Sequence, residues 1–138
     1  ELDIPTMAEA KATARQTLTV AAVGSPRSAL ALDAGPGIAV RRVYRLGPER
    51  EVPFQRADKL LLLAFDPPLR PGEETRFVIE YDLDFSANKG VGLTWSAPRP
   101  GADGPTESSP AIHAQGQAQL NSLWFPCHDF PNDRLATE

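Results

Sequence analysis

The chain has 138 residues, a length that suits one domain large enough to bury a hydrophobic core. Its hydrophobic fraction of 41% and charged fraction of 23% are ordinary for a globular protein, and its longest apolar run, residues 60–65, is too short for a membrane-spanning helix. The net charge of −4 and the scattered basic residues exclude the basic stripe that nucleic-acid binding requires.

The first part of the chain predicts one long strand over residues 7–23. Alanines alternate with mostly polar side chains along residues 8–14, and the run continues without a turn signal into Leu18 and Val20. Residues 7–15 have helical propensity, but propensity is a weak guide that tertiary context often overrides. We therefore expect an extended conformation.

Seven further segments predict strands, because each is a short apolar or alternating run near turn-forming residues. They are residues 28–32, 38–44, 51–55, 59–65, 75–85, 91–96 and 111–119. The apolar spacing of the second slips at Arg41-Arg42, which indicates a bulge, and Pro53 places the third at a sheet edge. The fourth is apolar on both faces, as in a central strand, and should end at Pro67-Pro68.

The segment at residues 75–85 has the clearest period of two. Its odd-numbered apolar side chains share one face and its charged side chains share the other, which is typical of an antiparallel strand with one wet face. Residues 97–110 predict a loop, because they are rich in Pro, Gly and Ser. Short strands, frequent turns and no convincing helix predict one all-β domain over residues 1–138, an antiparallel sandwich.

Few residues could carry chemistry within this chain. The two histidines, His113 and His128, have no metal-binding spacing, so no metal site is expected here. Cys127 and His128 are neighbours that point to opposite faces of extended backbone, which excludes a Cys–His nucleophile. Cys127 is expected to be a small buried hydrophobe, and Asp82 and Asp84 to lie on a solvated face.

Amide side chains near the carboxyl end form the remaining candidate site. In a strand, Gln115 and Gln117 share a face with His113 and Gln119 and present neutral donors and acceptors. On composition alone, an exposed polar face is the simpler interpretation.

The closing segment resembles a known family. Residues 115–131 read Gln-Gly-Gln-Ala-Gln-Leu-Asn-Ser-Leu-Trp-Phe-Pro-Cys-His-Asp-Phe-Pro. This is similar to the Q-x-[EQ] … F-P-C-x-D-x-P segment in the amino-terminal domain of M1-family zinc aminopeptidases, the gluzincin type. Upstream, residues 60–81 resemble the family's apolar strand, P-L-x-x-G-E turn and I-x-Y strand, and residues 92–96 resemble its G-L-Y-x-S strand. The resemblance covers most of the chain.

The resemblance implies a substrate-binding role for two glutamines. Gln117 falls where family members place Glu or Gln to bind the free amino terminus of the substrate or the neighbouring backbone. Gln115 falls at a glutamine that helps line the pocket for the first side chain. An exopeptidase has to recognise a terminal ammonium with fixed acceptors, and a strand edge fixes them better than a loop does.

A structural corner follows these glutamines in the resemblance. Its positions, which match the P-C-x-D-x-P pattern, are Pro126, Cys127, Asp129 and Pro131. Asp129 is expected to cap the short turn that follows, by accepting backbone N–H bonds. Ser122 and Phe130 depart from the family, which often has Arg and Glu at these two places.

The resemblance also implies partners outside the chain. The family's zinc ligands and general base belong to a later catalytic domain, so this chain is expected to bind no zinc and to cleave no peptide alone. Zinc is expected in the parent protein, and the expected partners are its own catalytic domain and the substrate's amino terminus. The family's saddle-like β domain continues past this point, so we expect a truncated domain that self-associates through an unpaired edge and apolar surface.

Other functions stay open at this point. A non-catalytic β-sandwich that binds protein or carbohydrate, or a scaffold relative without zinc, would fit the same residues. A sugar-stacking platform of Tyr81, Trp95 and Trp124 is a weaker possibility, because their apolar strand settings suit a core. The single cysteine leaves cytoplasmic, periplasmic and secreted locations open.

Overall fold

The structure, a computed structural model, describes residues 1–101, 104–117 and 119–130. Short 3₁₀ helices form at Phe85–Asn88 and Asn121–Leu123. The strands are β1 (Leu2–Asp3), β2 (Lys11–Ala21), β3 (Arg27–Asp33), β4 (Ile38–Arg45), β5 (Arg50–Glu51), β6 (Phe54–Ala57), β7 (Leu60–Leu69), β8 (Glu74–Asp84), β9 (Leu93–Ser96), β10 (Arg99–Gly101), β11 (Gly104–Ser108) and β12 (Ala111–Ala114). Across these ranges, no helix has the length and apolar character of a membrane span.

The strands form two larger sheets and two hairpins. The larger sheets have the orders β1-β2-β8-β4-β5 and β3-β7-β6, and the hairpins pair β9 with β12 and β10 with β11. All of these strand pairings are antiparallel. The prediction of an all-β antiparallel fold is confirmed.

The hydrophobic core joins the inner faces of the two larger sheets. The predicted apolar face of β8 is buried, and the rings of Phe77 from β8 and Phe65 from β7 stack with centroids 5.0 Å apart. Leu61 and Leu63 of β7 are fully buried. Because β7 lies between β3 and β6, it is the central strand that its apolar sequence predicts.

The long strand predicted at residues 7–23 is shorter than expected. It forms as β2, which pairs with β8 from Lys11 opposite Asp84 to Ala21 opposite Glu74. Residues 7–10 are turns and bends rather than helix or strand. Because β8 ends at Asp84, these residues have no partner strand on that side.

The predicted strand at residues 51–55 is two edge strands. β5 pairs with β4 in the five-stranded sheet, and β6 pairs with β7 in the three-stranded sheet. Between them the Val52 N–H donates to the Val43 carbonyl, and the Pro53 carbonyl accepts from the Ala64 N–H. Since proline has no N–H to continue a ladder, the chain changes sheets here. The edge placement is confirmed, but the single strand is wrong.

Three further features predicted from the sequence differ in their outcome. The bulge expected at Arg41-Arg42 is confirmed by a register shift between Val40 and Arg42. Pro67-Pro68 do not end β7, which reaches Leu69 after a register shift opposite β3. The predicted loop at residues 97–110 contains two short paired strands, β10 and β11, so the loop prediction is wrong over those two ranges.

The two larger sheets have different outer faces. On the five-stranded sheet the Tyr44 hydroxyl lies 2.8 Å from Arg15 Nη2, which donates to it, and the guanidinium of Arg42 covers the Tyr44 ring. On the three-stranded sheet most outward positions are apolar, with Asp33 and Gln55 as the polar exceptions, as the register and strand alternation show. We call this surface the apolar face; it consists of Ala29, Ala31, Ala57, Leu60, Leu62 and Ala64.

Candidate functional site

The two candidate glutamines lie immediately after β12. β12 pairs with β9 up to Ala114 opposite Leu93, and the Gln115 N–H adds one more bond, 2.7 Å to the Gly92 carbonyl. Gln117 then lies in a turn, and both glutamine side chains are exposed.

The predicted strand over residues 111–119 is therefore wrong beyond Ala114. The expected row of His113, Gln115, Gln117 and Gln119 on one strand face does not form. Its partner strand begins at Leu93, and Gly92 before it has a left-handed φ of +70°, which turns the chain away from the ladder. The glutamines thus project from a bend at the end of a hairpin.

Three glycines pack closely against the 3₁₀ turn that follows the glutamines. A Cβ on Gly35 would lie 2.8 Å from the Leu123 Cα, and a Cβ on Gly92 would lie 2.9 Å from the Leu123 Cβ. A Cβ on Gly116 would lie 2.9 Å from the Asn121 Cγ. The Gly35 N–H also donates to the Ser122 carbonyl at 2.6 Å. The glycines allow a contact with this turn that side chains would block.

The predicted corner attaches the end of the described chain to the edge of β3. Asp33 and Cys127 exchange backbone hydrogen bonds of 2.7 and 3.0 Å, and Pro126 is fully buried. The buried Asp129 accepts the Ser122 N–H at 2.9 Å through Oδ2, and its own N–H donates to the Asp33 carboxylate at 3.1 Å. Asp129 therefore caps the preceding turn.

Part of the corner prediction cannot be compared with the structure. Pro131 and the turn expected after Asp129 lie outside the described residues. Phe130, one of the two departures from the family pattern, is 53% exposed and stacks on the His128 ring with centroids 5.3 Å apart. Ser122, the other departure, contributes its backbone to the turn.

The corner is also attached to the five-stranded sheet. Gln16 Nε2 of β2 donates to the Pro126 carbonyl at 2.9 Å, and the Tyr81 hydroxyl of β8 donates to the Trp124 carbonyl at 3.3 Å. Burial raises the pKa of the Tyr81 phenol, so this donor keeps its proton. These two hydrogen bonds attach the corner and the chain just before it to the five-stranded sheet.

An open cavity is lined by residues that follow the glutamine bend, and Gln115 and Gln117 are not among its lining residues. Its volume is about 370 Å³, within the range of small-molecule sites. Its walls include Asp33, Lys59, Gln119, Leu120 and Phe130. The segment that carries Gln117 thus continues into a wall with polar, charged and aromatic groups.

The described residues offer no metal site or reactive thiol. No group of three or more His, Cys, Asp or Glu side chains in these ranges could hold a metal ion. His113 and His128 are exposed, whereas Cys127 is buried. Burial, followed by the charges of Asp129 and Asp33, raises the pKa of the Cys127 thiol to about 12. Cys127 is the buried thiol that its sequence predicts.

The thiol should make stability depend on pH in alkaline solution. Its pKa is 9.0 in the unfolded reference and about 12 in the fold, so the unfolded chain loses this proton first. The contribution is fully present below about pH 9 and is lost as the pH rises toward 12. Cys127→Ala should flatten this decline in urea unfolding, whereas parallel profiles for both proteins would contradict it. Burial and, to a smaller extent, the charge of Cys127 raise the pKa of Tyr81, so the Tyr81 contribution to this decline also becomes smaller in Cys127→Ala.

The aromatic residues do not support a sugar platform. Tyr81 is buried, and the Trp95 indole donates to the Met7 carbonyl at 3.0 Å. Trp124 is partly buried and packs edge-on against Phe125 with centroids 4.6 Å apart. A stacking platform requires open ring faces.

Comparisons with known proteins agree on one family. No protein-family profile matches the chain. Aminopeptidase B of Mus musculus is 37% identical over 79 residues, which are 57% of this chain and 11% of that protein. An M1 zinc metallopeptidase from Deinococcus radiodurans superposes with a TM-score of 0.67 at 25% identity, over 96% of this chain and 28% of that chain. Sequence and fold agree. The chain is similar to the amino-terminal region of M1 zinc metallopeptidases.

A more distant likeness shows the fold alone. Yeast LTA4 hydrolase superposes on this chain with a TM-score of 0.66 at 16% identity, covering 93% of this chain and 19% of that one. The match to Mus musculus aminopeptidase B spans 11% of the length of that protein.

Sequence reasoning missed the residues that support the candidate site. The bend and the corner are supported by Gly35, Gly92, Asn121 and Asp33. The family patterns quoted above gave no role to any of these four residues. The glycines carried a weak signal, because glycine beside or within a strand often marks close backbone approach. Gln16, 110 residues from Pro126, carried no local signal.

Proposed function

We propose that this domain is the substrate-capping domain of a zinc aminopeptidase, which releases amino-terminal residues from peptides. Gln117 accepts from the substrate's terminal ammonium, and Gln115 lines the pocket for the first side chain. The observation that carries the proposal is the placement of both exposed amides on one bend. That bend is anchored to Gly92, and Gln119 and Leu120 after it line the cavity of about 370 Å³.

The proposal assigns no catalysis to this chain. Its described residues do not fit a zinc site, so zinc would be held by polypeptide outside the chain. The domain would contribute binding and orientation, with neutral acceptors rather than charge. A carboxamide accepts from an ammonium more weakly than a carboxylate does, so carboxylates of the catalytic domain would supply the remaining attraction.

The proposal is tested by Gln117→Ala in the full-length protein that carries this domain. We expect a higher KM for aminoacyl anilides with a free amino group, because one acceptor for the ammonium is lost, and unchanged zinc content. The KM should rise about tenfold, which corresponds to the loss of one hydrogen bond to a charged group.

The matched control is Gln55→Ala, an exposed glutamine on edge strand β6. It should leave the KM unchanged. An unchanged kcat/KM in the Gln117→Ala protein would remove Gln117 from the site. Absence of anilide hydrolysis by the unmodified protein would favour a non-catalytic binding module.

The isolated chain should self-associate through the apolar face. The face is built from exposed or partly exposed alanine and leucine side chains on three paired strands, and burying such surface is favourable. We expect size-exclusion chromatography to give a concentration-dependent mass above 14.9 kDa.

A charge on the apolar face should reverse this association. Ala31→Lys places an ammonium on the face, opposite Leu62 of the central strand, and should yield a monomer, because the charge would lose its hydration on association. Thr17→Lys, on the exposed outer face of β2, is the control and should leave the mass unchanged. A dilution-resistant monomer for the unmodified chain would contradict the prediction.

A further inference from the structure

Gly116 separates the two glutamines and lies against the Asn121 side chain. Its φ lies outside the left-handed region in which glycine is favoured, so its backbone conformation suits other residues. A side chain at this position would instead meet the Asn121 carboxamide. The Asn121 carboxamide occupies the position of a side chain, with its Cγ 2.9 Å and its Nδ2 3.3 Å from a Cβ built on Gly116.

Asn121 is itself fixed by its own turn. Its carbonyl accepts from the Trp124 N–H at 3.0 Å and from the Phe125 N–H at 3.1 Å. The next residue is capped by Asp129, and Leu123 is seated against Gly35 and Gly92. The Asn121 side chain is therefore presented by a well-supported backbone and reaches across to the glutamine bend.

From these contacts we propose that Asn121 is a positioning residue, which packs its carboxamide on Gly116 and thereby fixes the directions of Gln115 and Gln117. The Gln115 N–H bond to Gly92 holds one end of the bend, and Asn121 holds its centre. This inference rests on the proposed function, because it concerns how the two amides meet a substrate. Asn121 touches no reacting group in this assignment.

The contact should matter for binding more than for folding. A methyl at position 116 meets the end of a flexible side chain, which can rotate away at small cost in stability. The bend then loses its central support, and the amides sample orientations that do not match the substrate. Preorganised acceptors lose affinity when they become mobile.

The test uses Gly116→Ala, Asn121→Ala and their double variant in the full-length protein, assayed with aminoacyl anilides. Each single variant should raise KM about tenfold with kcat and melting temperature nearly unchanged, since uniform binding is lost. The double variant should be no worse than the poorer single variant, because both changes remove one shared contact.

Gly24→Ala is the matched control. Its φ of +75° makes alanine strained, but nothing lies within 4 Å of the added methyl. It should lower the melting temperature and leave KM unchanged, which separates lost stability from lost positioning.

Gln117→Ala in the same assay separates the two proposals. If it raises KM while both positioning variants match the unmodified protein, the role of Asn121 is overturned and the proposed function stands. If the KM of the double variant rises by the product of the two single-variant effects, the two residues do not act through one shared contact and the role of Asn121 is overturned. If Gln117→Ala has no effect, the proposed function and the inference both fail.

Discussion

Gly92→Ala should destabilise the domain by about 2–5 kcal/mol. Two effects combine. Alanine at a φ of +70° is strained, which costs about 1–2 kcal/mol. The added Cβ would also lie 2.9 Å from the Leu123 Cβ and 3.1 Å from the Leu120 carbonyl oxygen, and overpacking of this kind costs about 1–3 kcal/mol. Urea unfolding followed by tryptophan fluorescence measures the sum.

Gly90→Ala is the control for the strain alone. Gly90 has a φ of +85° in the same turn, but nothing lies within 4 Å of its added Cβ. The difference between the two variants therefore reports the contact between Gly92 and the 3₁₀ turn. Equal losses of stability in the two variants would show that Leu123 moves away from the added methyl without cost. The close packing of Gly92 against the 3₁₀ turn would then contribute nothing to stability.

Phe77→Ala should cost about 3–5 kcal/mol, which is a large fraction of the stability of a domain of this size. Phe77 is 1% exposed at the centre of β8 and stacks on Phe65 between the two larger sheets. Truncation removes the apolar contacts of a whole ring and leaves a cavity between sheets that cannot close onto each other. Thermal or urea unfolding should show a large downward shift.

Phe54→Ala provides the comparison. Phe54 is 36% exposed on edge strand β6, so its truncation should cost about 1 kcal/mol or less. Similar losses for both phenylalanines would contradict a core centred on the contact between β7 and β8.

The strand pattern was predictable wherever a strand has one buried face. Residues 75–85 alternate because β8 packs on the core with its odd-numbered side chains, and the bulge at Arg41-Arg42 shows as a slip in the same period. Strand predictions failed where the presence of a partner strand decides whether a segment forms a strand. Residues 7–10 and the segment after Ala114 were predicted as strand from their alternation, but they have no neighbouring strand to pair with.

The candidate site divides in a similar way. The two glutamines and the corner were found from a sequence resemblance, and the structure describes their surroundings: exposed amides on a bend, and a buried Asp129 that caps the turn before it. Two sets of contacts could not be predicted from the sequence: Asn121 against Gly116, and Leu123 against Gly35 and Gly92. These contacts join segments that come together only in the folded chain.

The sequence by itself determined an all-β domain with its core face and its bulge, since alternation and turn residues act over a few neighbouring positions. Tertiary structure alone decided where pairing stops, that Val52 and Pro53 cross between sheets, and that the glutamines leave the strand. The physical reason is that a hydrogen-bond ladder or a close backbone contact needs a partner, and the partner's position depends on the whole fold.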